Sequence, residues 1–381
     1  MGMTRITVSA LAAIWAVCAW TQDWPSLCHD QARSGICPAE GPSAAEEAWA
    51  VTLGGSVDGS PVVADGRVYV GNNRGSMFCL KADDGEAVWE FAAAGPIVGA
   101  AEVREGTVYF GSVDGFVYAL SADTGQLSWR HRTNRPVLCS PVCSEGKVVF
   151  GSMDGTIRAV EAATGRQVWR CSAPAGISAS PALAEGVLYF GDEDGNLLAL
   201  RLEDGSEVWR GKLPGRIIAA PTVAGGRLLV PLMSRSSLSP PATEIITAWN
   251  PTDGTKLWTI PKPGAQSVMG SPVVYGSTVW VFSVEGYVSS GVLRGFSLDD
   301  GKPVAERKME GADRLVVDAS LAIAGDALYI AGQNGMLYVR DASSGVARKR
   351  LAVGGRMFSS PAIANGLLYV GAQDGKLHCI R

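Results

Sequence analysis

The chain has 381 residues, of which 47 are glycine and 18% are charged, and its formal net charge is −4. This balance argues against a nucleic-acid-binding protein, which needs a basic patch. Only three histidines are present, too few to favour a histidine-based metal or acid–base centre.

The first residues have the features of a secretory signal. Arg5 precedes an apolar run from Ile6 to Ala19, which is long enough for a signal-peptide core and short for a membrane span. Cleavage after Ala19 is predicted, so residues 1–19 are a signal peptide and the mature protein is periplasmic or secreted. Lipid anchoring at Cys18 is a less favoured alternative, because small residues are expected just before an acylated cysteine. An uncleaved membrane anchor is a third alternative. No later segment of the sequence could span a membrane.

Residues 20–47 are predicted to form an N-terminal lead-in segment. Cys28 and Cys37 lie close together in this loop-like stretch, and an oxidising compartment permits disulfides. A Cys28–Cys37 bridge is therefore predicted. No Cys-x-x-Cys-His motif is present, so covalent haem is not expected.

A period of 40 residues dominates the rest of the chain. Five tryptophans mark it: Trp49, Trp89, Trp129, Trp169 and Trp209. Each period contains four short apolar segments separated by turns with Asp-Gly or a similar pair. A fixed period near 40 made of short strands and glycine turns is typical of a β-propeller.

Eight copies of the first strand can be counted. They begin at Ser60, Ala100, Ser140, Ser180, Ala220, Ser271, Ala319 and Ser360. The last copy ends at Arg381 after three strands, and Ala48–Val51 carries the tryptophan expected on the missing fourth. We therefore predict an all-β fold over residues 48–381, an eight-bladed β-propeller of four-stranded antiparallel blades closed by the N-terminal strand.

The block from Tyr109 to Trp129 and its copies resemble the pyrroloquinoline-quinone (PQQ)-like propeller repeat. One branch of that superfamily, the quinoprotein dehydrogenases, implies a bound quinone and Ca²⁺, and many members carry adjacent cysteines. This chain has no Cys-Cys pair and mostly minimal blades. In blade size and count it is more similar to the BamB-type propellers of outer-membrane protein assembly, which implies protein binding without a cofactor. The lead-in from Asp23 to Gly35 also resembles that of free-standing secreted propellers of unknown role.

Two turns on one face are longer than the repeat requires. Leu232–Pro241 replaces a tight turn in blade five, and Val284–Gly295 does so in blade six. Loops on a rigid scaffold commonly carry binding sites, although a neutral insertion is an equal alternative. The residues predicted to contact a partner are Met233, Arg235, Leu238, Tyr287 and Arg294.

The connections into the innermost strands lie on the same face. Four of them carry arginines, predicted to line the channel mouth and bind an anion or an acidic peptide: Arg135, Arg216, Arg314 and Arg356. Ion pairing with Asp58 and Asp318 is the alternative. The recurring aspartates that precede turn glycines are explained by the turns, so no metal site is predicted.

The sequence thus predicts a non-catalytic binding scaffold, possibly in cell-envelope or outer-membrane protein assembly. A PQQ-dependent dehydrogenase and a polysaccharide-binding propeller remain alternatives, the second because Trp280 and Tyr287 could offer stacking faces. No cofactor is expected in the favoured interpretation. A monomer or a subunit of an envelope complex is expected.

Overall fold

The computed structural model describes residues 23–233, 244–261, 266–285, 291–309 and 316–381. Within these ranges the regular structure is entirely β, and the strands form eight sheets. No helix in the described ranges is long and apolar enough to cross a bilayer.

Two strands precede the repeats: β1 (Ile36–Cys37) and β2 (Glu47–Thr52). Blade I contains β3 (Val62–Ala64), β4 (Arg67–Gly71), β5 (Ser76–Lys81) and β6 (Ala87–Ala92). Blade II contains β7 (Glu102–Arg104), β8 (Thr107–Gly111), β9 (Phe116–Ser121) and β10 (Leu127–Arg132). Blade III contains β11 (Val142–Ser144), β12 (Lys147–Gly151), β13 (Thr156–Glu161) and β14 (Gln167–Ser172). Blade IV contains β15 (Ala182–Ala184), β16 (Val187–Gly191), β17 (Asn196–Arg201) and β18 (Glu207–Lys212).

Blade V contains β19 (Thr222–Ala224), β20 (Arg227–Pro231), β21 (Glu244–Trp249) and β22 (Lys256–Pro261). Blade VI contains β23 (Gln266–Val268), β24 (Val273–Tyr275), β25 (Thr278–Glu285), β26 (Gly291–Ser297) and β27 (Pro303–Lys308). Blade VII contains β28 (Ala322–Ala324), β29 (Ala327–Ala331), β30 (Met336–Asp341) and β31 (Ala347–Ala352). Blade VIII contains β32 (Ala362–Ala364), β33 (Leu367–Gly371) and β34 (Lys376–Ile380).

The N-terminal strand completes the ring, as predicted. Strand β2 pairs antiparallel with β34 and places Trp49 opposite Cys379. Glu46 and Arg381 exchange both backbone hydrogen bonds, at 3.2 and 3.0 Å, where other blades have a continuous turn. The predicted eight-bladed all-β fold is confirmed. Two details differ: the inner position of blade VI is divided between β23 and β24, and blade VII gains β1 as a parallel fifth strand.

The turns between the first two strands explain one recurring pair of residues. Asp65 and Gly66 both have positive φ, at 51° and 71°, and join β3 to β4 through a two-residue loop. A type I′ turn needs positive φ at both positions, which matches the twist of a hairpin.

The repeated tryptophan and the repeated glycine meet across neighbouring blades. The ring of Trp129, in blade II, covers Gly165 of blade III. A Cβ atom added at Gly165 would lie 2.6 Å from the indole. Its Nε1 donates to the Ala162 carbonyl at 2.8 Å. The same bond joins four other pairs: Trp89 to Ala122, Trp169 to Leu202, Trp209 to Pro251, and Trp258 to Leu298. Each indole therefore seals one seam between blades and donates to a carbonyl there, and at three of these seams a tyrosine hydroxyl reaches the same carbonyl: Tyr69, Tyr109 and Tyr189.

The serines that open the inner strands also bridge blades. The Ser140 hydroxyl accepts the Ala100 N–H at 2.9 Å, and the Ser180 hydroxyl accepts the Ser140 N–H at 2.8 Å. Ser320, Ser360 and Ser60 continue the pattern. A hydroxyl is needed here because the backbone N–H is buried and has no strand partner.

The lead-in crosses the central channel. Its backbone carbonyls accept N–H bonds from the inner strands of blades I, II, IV, V and VII, all between 2.7 and 2.9 Å; the donors are Val63, Val103, Leu183, Val223 and Ile323. The innermost strand of each blade is a sheet edge, and the lead-in pairs groups that such an edge leaves open. Asp23 accepts the Asp65 N–H at 3.3 Å, so the segment begins at the channel end formed by the first turns.

Candidate functional site

The channel end opposite Asp65 is defined as the mouth face. It contains the connections that enter the inner strands and the turns between the second and third strands. Backbone bonds join the two sets: the Val113 N–H donates to Pro96 at 2.9 Å, and Met153 donates to Pro136 at 3.0 Å. In blade V, Met233 and Arg216 exchange both bonds, at 2.9 and 3.0 Å. Side chains add to this pairing: the Ser112 hydroxyl donates to the Gly95 carbonyl at 2.9 Å, and the Ser152 hydroxyl donates to the Arg135 carbonyl at 3.1 Å.

One half-buried residue of each connection lies two positions before the serine slot. These eight are Asp58, Val98, Leu138, Ser178, Ile218, Met269, Asp318 and Phe358. Half-buried apolar side chains also occupy the adjoining turns of blades II, III and V: Val113, Met153 and Met233. We define the apolar arc as seven of these residues in blades II, III, V and VI: Val98, Val113, Leu138, Met153, Ile218, Met233 and Met269. It is a half-exposed apolar surface beside the channel axis.

Polar pairs lie on the mouth face in blades IV, VII and I. In blade VII the Gln333 amide donates to Asp318 at 2.8 Å, and burial raises the pKa of that carboxyl. Asp58 accepts the Ser56 hydroxyl at 2.7 Å. In blade IV the Ser178 hydroxyl donates to Glu193. The mouth face thus has apolar and polar sectors.

The predicted arginines have different environments. Arg216 is ion-paired with Glu193, so its partner is not either of the two aspartates considered from the sequence. Arg356 donates to the Gln333 amide oxygen, and its guanidinium carbon lies 5.5 Å from the centre of the Phe358 ring. Arg135 is exposed beside the arc. Arg314 lies outside the described residues.

The residues predicted to contact a partner are only partly described. Met233 is on the mouth face, whereas Arg235, Leu238 and Tyr287 lie outside the described residues. Arg294 is not in a loop: it is a buried residue of β26 that bonds the Ser283 hydroxyl and lies 3.3 Å from Glu306. The sequence interpretation was wrong on this location, because β25 and β26 continue their ladder to the Val284–Gly291 pair.

The predicted disulfide is not formed, since Cys28 and Cys37 are both buried free thiols. The Gly35 N–H bonds the Cys28 carbonyl at 2.9 Å, and the chain then pairs Cys37 with Ala324 in β28. Burial raises the pKa of both thiols.

The recurring turn aspartates have structural partners. Asp154 accepts the Thr156 N–H at 3.0 Å and the Arg158 guanidinium at 2.7 Å, and these bonds outweigh burial to lower its pKa. Across the described residues no cluster of three or more carboxylate, cysteine or histidine side chains could hold a metal ion. The described residues therefore supply no carboxylate cluster of the kind that Ca²⁺ sites commonly use.

Sequence reasoning missed the charges buried in the channel. Arg33 is fully buried and donates to the carbonyls of Pro181 at 2.8 Å and Leu27 at 2.9 Å. Glu102 is 2% exposed, accepts the Gln31 amide at 3.3 Å, and has a pKa raised by burial to about 7. One feature of the sequence could have revealed Glu102: the same position of the repeat holds an apolar residue or threonine in the other blades.

Comparison with known proteins gives a family and several structural likenesses. The family model described as "Beta-alanine-activating enzyme, beta-propeller" matches residues 53–381. No curated protein matches the sequence. BamB from Moraxella catarrhalis is 17% identical, with a TM-score of 0.72 over 88% of this chain and 99% of that one. Quinohemoprotein alcohol dehydrogenase from Comamonas testosteroni is 15% identical, with a TM-score of 0.72 over 95% and 81%.

A third likeness is to the computationally designed protein Ika8, which is 15% identical, with a TM-score of 0.69 over 86% of this chain and 98% of the design. At such identities these structures share the fold alone, and they include a dehydrogenase and a designed protein. The family match covers most of the chain and confirms the predicted kind of propeller. The chain belongs to the family described as the β-propeller of the beta-alanine-activating enzyme, within the PQQ-like propellers.

Proposed function

We propose that this protein is a non-catalytic, periplasmic or secreted propeller that binds a protein or peptide segment on its mouth face. The observation that carries the proposal is the apolar arc, seven half-exposed apolar side chains held on a rigid backbone. Partly exposed apolar side chains on a rigid scaffold, with polar residues between and beside them, are typical of interaction sites.

Three of the seven arc residues are methionines: Met153, Met233 and Met269. Their unbranched thioether side chains adapt to different apolar partners. Exposed Arg135 and the polar sectors would set the orientation of the bound segment and favour acidic residues near blade III. The lead-in fills the other channel end, which leaves the mouth face as the accessible end.

The proposal is tested by site-specific photocrosslinking in envelope extract. A photoreactive residue at Met153 is expected to give a discrete adduct, and Leu138→Asp in the same chain is expected to abolish it by placing a charge in the arc. The matched control carries the photoreactive residue at Glu145, which is exposed in the first turn of the same blade, at the opposite end. Equal adducts at both positions, or an adduct unaffected by Leu138→Asp, would contradict the proposal.

A deletion addresses the blade V loop. Removing residues 235–242, which keeps the buried Leu232 and the arc residue Met233, is expected to leave the fold intact and to abolish partner capture if that loop contributes contacts. Unchanged capture would restrict the site to the arc.

The enzyme alternative has a direct test of its own. Titration with PQQ and Ca²⁺ should raise the melting temperature of a quinoprotein, because a ligand that binds the native state stabilises it. We expect no saturable shift. For the polysaccharide alternative, Trp280 cannot offer a stacking face, because it is fully buried.

A further inference from the structure

A cavity of about 520 Å³ lies between blades V and VI, away from the mouth of the channel. Blade V contributes Ile245, Ile260 and Pro261 to its lining, and blade VI contributes Arg294, Phe296 and Val304. Glu306 also lines it, and the exposed side chains of β27 place the opening on the outer rim. Its volume falls within the ~300–1,000 Å³ of small-molecule sites.

The cavity has a clear origin in the repeat. At the corresponding seam between blades I and II, Phe91 packs on Phe110 and Tyr118, with ring centres 6.3 and 5.5 Å apart. The strand pairings make Ile260, Val281 and Arg294 the equivalents of those three rings. Two aliphatic side chains and a guanidinium occupy less of the seam than three aromatic rings, and space remains.

The lining combines apolar walls with one cation. The Arg294 side chain is 9% exposed and lies 3.3 Å from Glu306, whose side chain is 55% exposed. An exposed carboxylate in such a pair can turn to solvent at little cost, because water solvates it there and screens the pair. A ligand carboxylate that enters the cavity could then take its place on a charge that water reaches poorly.

We propose that this cavity binds a small amphipathic carboxylate, with its apolar body against Ile260 and Phe296 and its carboxylate on Arg294. The site is distinct from the mouth face and does not depend on the function proposed for it. An apolar amine or a neutral alcohol of the same length would lack the partner that Arg294 provides.

The test is calorimetric titration of the full protein with decanoate, decylamine and decanol below their aggregation limits. Decanoate is expected to bind with 1:1 stoichiometry and at least about tenfold more tightly than the other two, the effect of one charge-assisted bond. Equal affinities for the three probes, or no decanoate binding, would overturn the proposal.

Substitutions distinguish ligand binding in this cavity from effects on the stability of the protein. Arg294→Gln is expected to reduce decanoate affinity to that of decanol, and Ile260→Phe, which restores the blade I residue, to weaken all three probes. Glu306→Gln should strengthen decanoate binding roughly two- to fivefold, because it removes one competing carboxylate. A purely structural role for Glu306 would not produce that gain.

A matched control exists in blade III. Arg158 occupies the slot of Arg294 but pairs with Asp154 at 2.7 Å. Arg158→Gln is expected to leave decanoate binding unchanged. Loss of binding in this control, or binding that survives both Arg294→Gln and Ile260→Phe, would assign the signal to another place.

Discussion

In blades I to IV the indole that seals each seam comes from the outermost strand, whereas in blade VI it comes from the second strand. Ala305 occupies the outer slot of blade VI, and Trp280 of β25 covers Gly345 of blade VII instead. Its Nε1 donates to the Ala342 carbonyl at 2.7 Å, the same bond that Trp129 makes with Ala162. At these seams, therefore, the indole that covers the glycine and donates to the carbonyl can come from either strand.

The largest expected effect tests that equivalence. Trp280→Ala should destabilise the protein by about 3–5 kcal/mol, as much as Trp129→Ala, because each removal leaves a cavity and takes away the indole hydrogen bond to a buried carbonyl. Denaturant unfolding of the two variants measures the free energies. If Trp280→Ala lowered the free energy of unfolding by less than about 1 kcal/mol while Trp129→Ala lowered it as expected, the two indoles would not be equivalent.

The next effect concerns a slot in which blade II differs from its neighbours. Glu102 stands where Val62 and Val142 stand in blades I and III, and its pKa is about 7 against a usual 4.5. The unfolded chain releases this proton near pH 4.5 but the folded chain retains it to about pH 7, so its contribution to stability falls as pH rises between these values. Glu102→Gln should remove this slope and raise stability by up to about 3 kcal/mol above pH 7.

Thermal unfolding of wild type and Glu102→Gln from pH 4 to pH 8 measures the slope. Parallel curves for the two proteins would show that the lead-in and blade III satisfy the ionised carboxylate fully.

A smaller effect is expected from filling the position on the outermost strand of blade VI where other blades have tryptophan. Ala305→Trp should cost about 1–3 kcal/mol, because Trp280 already fills the seam and a second indole overpacks it. In the Trp280→Ala background the same change should recover part of the loss. A double-mutant cycle measures the coupling, and strict additivity would mean that the two indoles do not share one space.

The smallest effect belongs to blade VII, where Lys349 occupies the tryptophan slot. Lys349 is exposed and donates to the Ala44 carbonyl. Lys349→Ala should change stability by less than about 0.5–1 kcal/mol, as for other surface substitutions. A larger loss by denaturant unfolding would show that this contact holds the closing strand.

The sequence was most informative where a local pattern repeats. The period, the strand count, the turns and the closing strand all follow from spacings near 40 residues, with Trp49 marking the closure. The role of Trp280 was not predictable in this way, because it depends on space that Ala305 leaves in three dimensions. The segment from Val284 to Gly295 is longer than the tight turn of the repeat, which predicts a loop position for Arg294, yet part of this extra length extends the β25–β26 ladder to the Val284–Gly291 pair. The route of the lead-in depends on pairing between an irregular segment and strands up to 300 residues away.

The pairing of β2 with β34 has a consequence for the order of folding. Its contacts join residues separated by more than 300 positions; the Arg381–Glu46 ion pair spans 335. Contacts of such long range form slowly, since the entropy cost of closing a large loop comes before the contacts contribute any stabilisation. While the chain is being made, blades I to VII can stack in sequence, but blade VIII waits for the final strand. The closing blade is thus expected to be the last to gain protection from hydrogen exchange, and an exposed edge persists until it does.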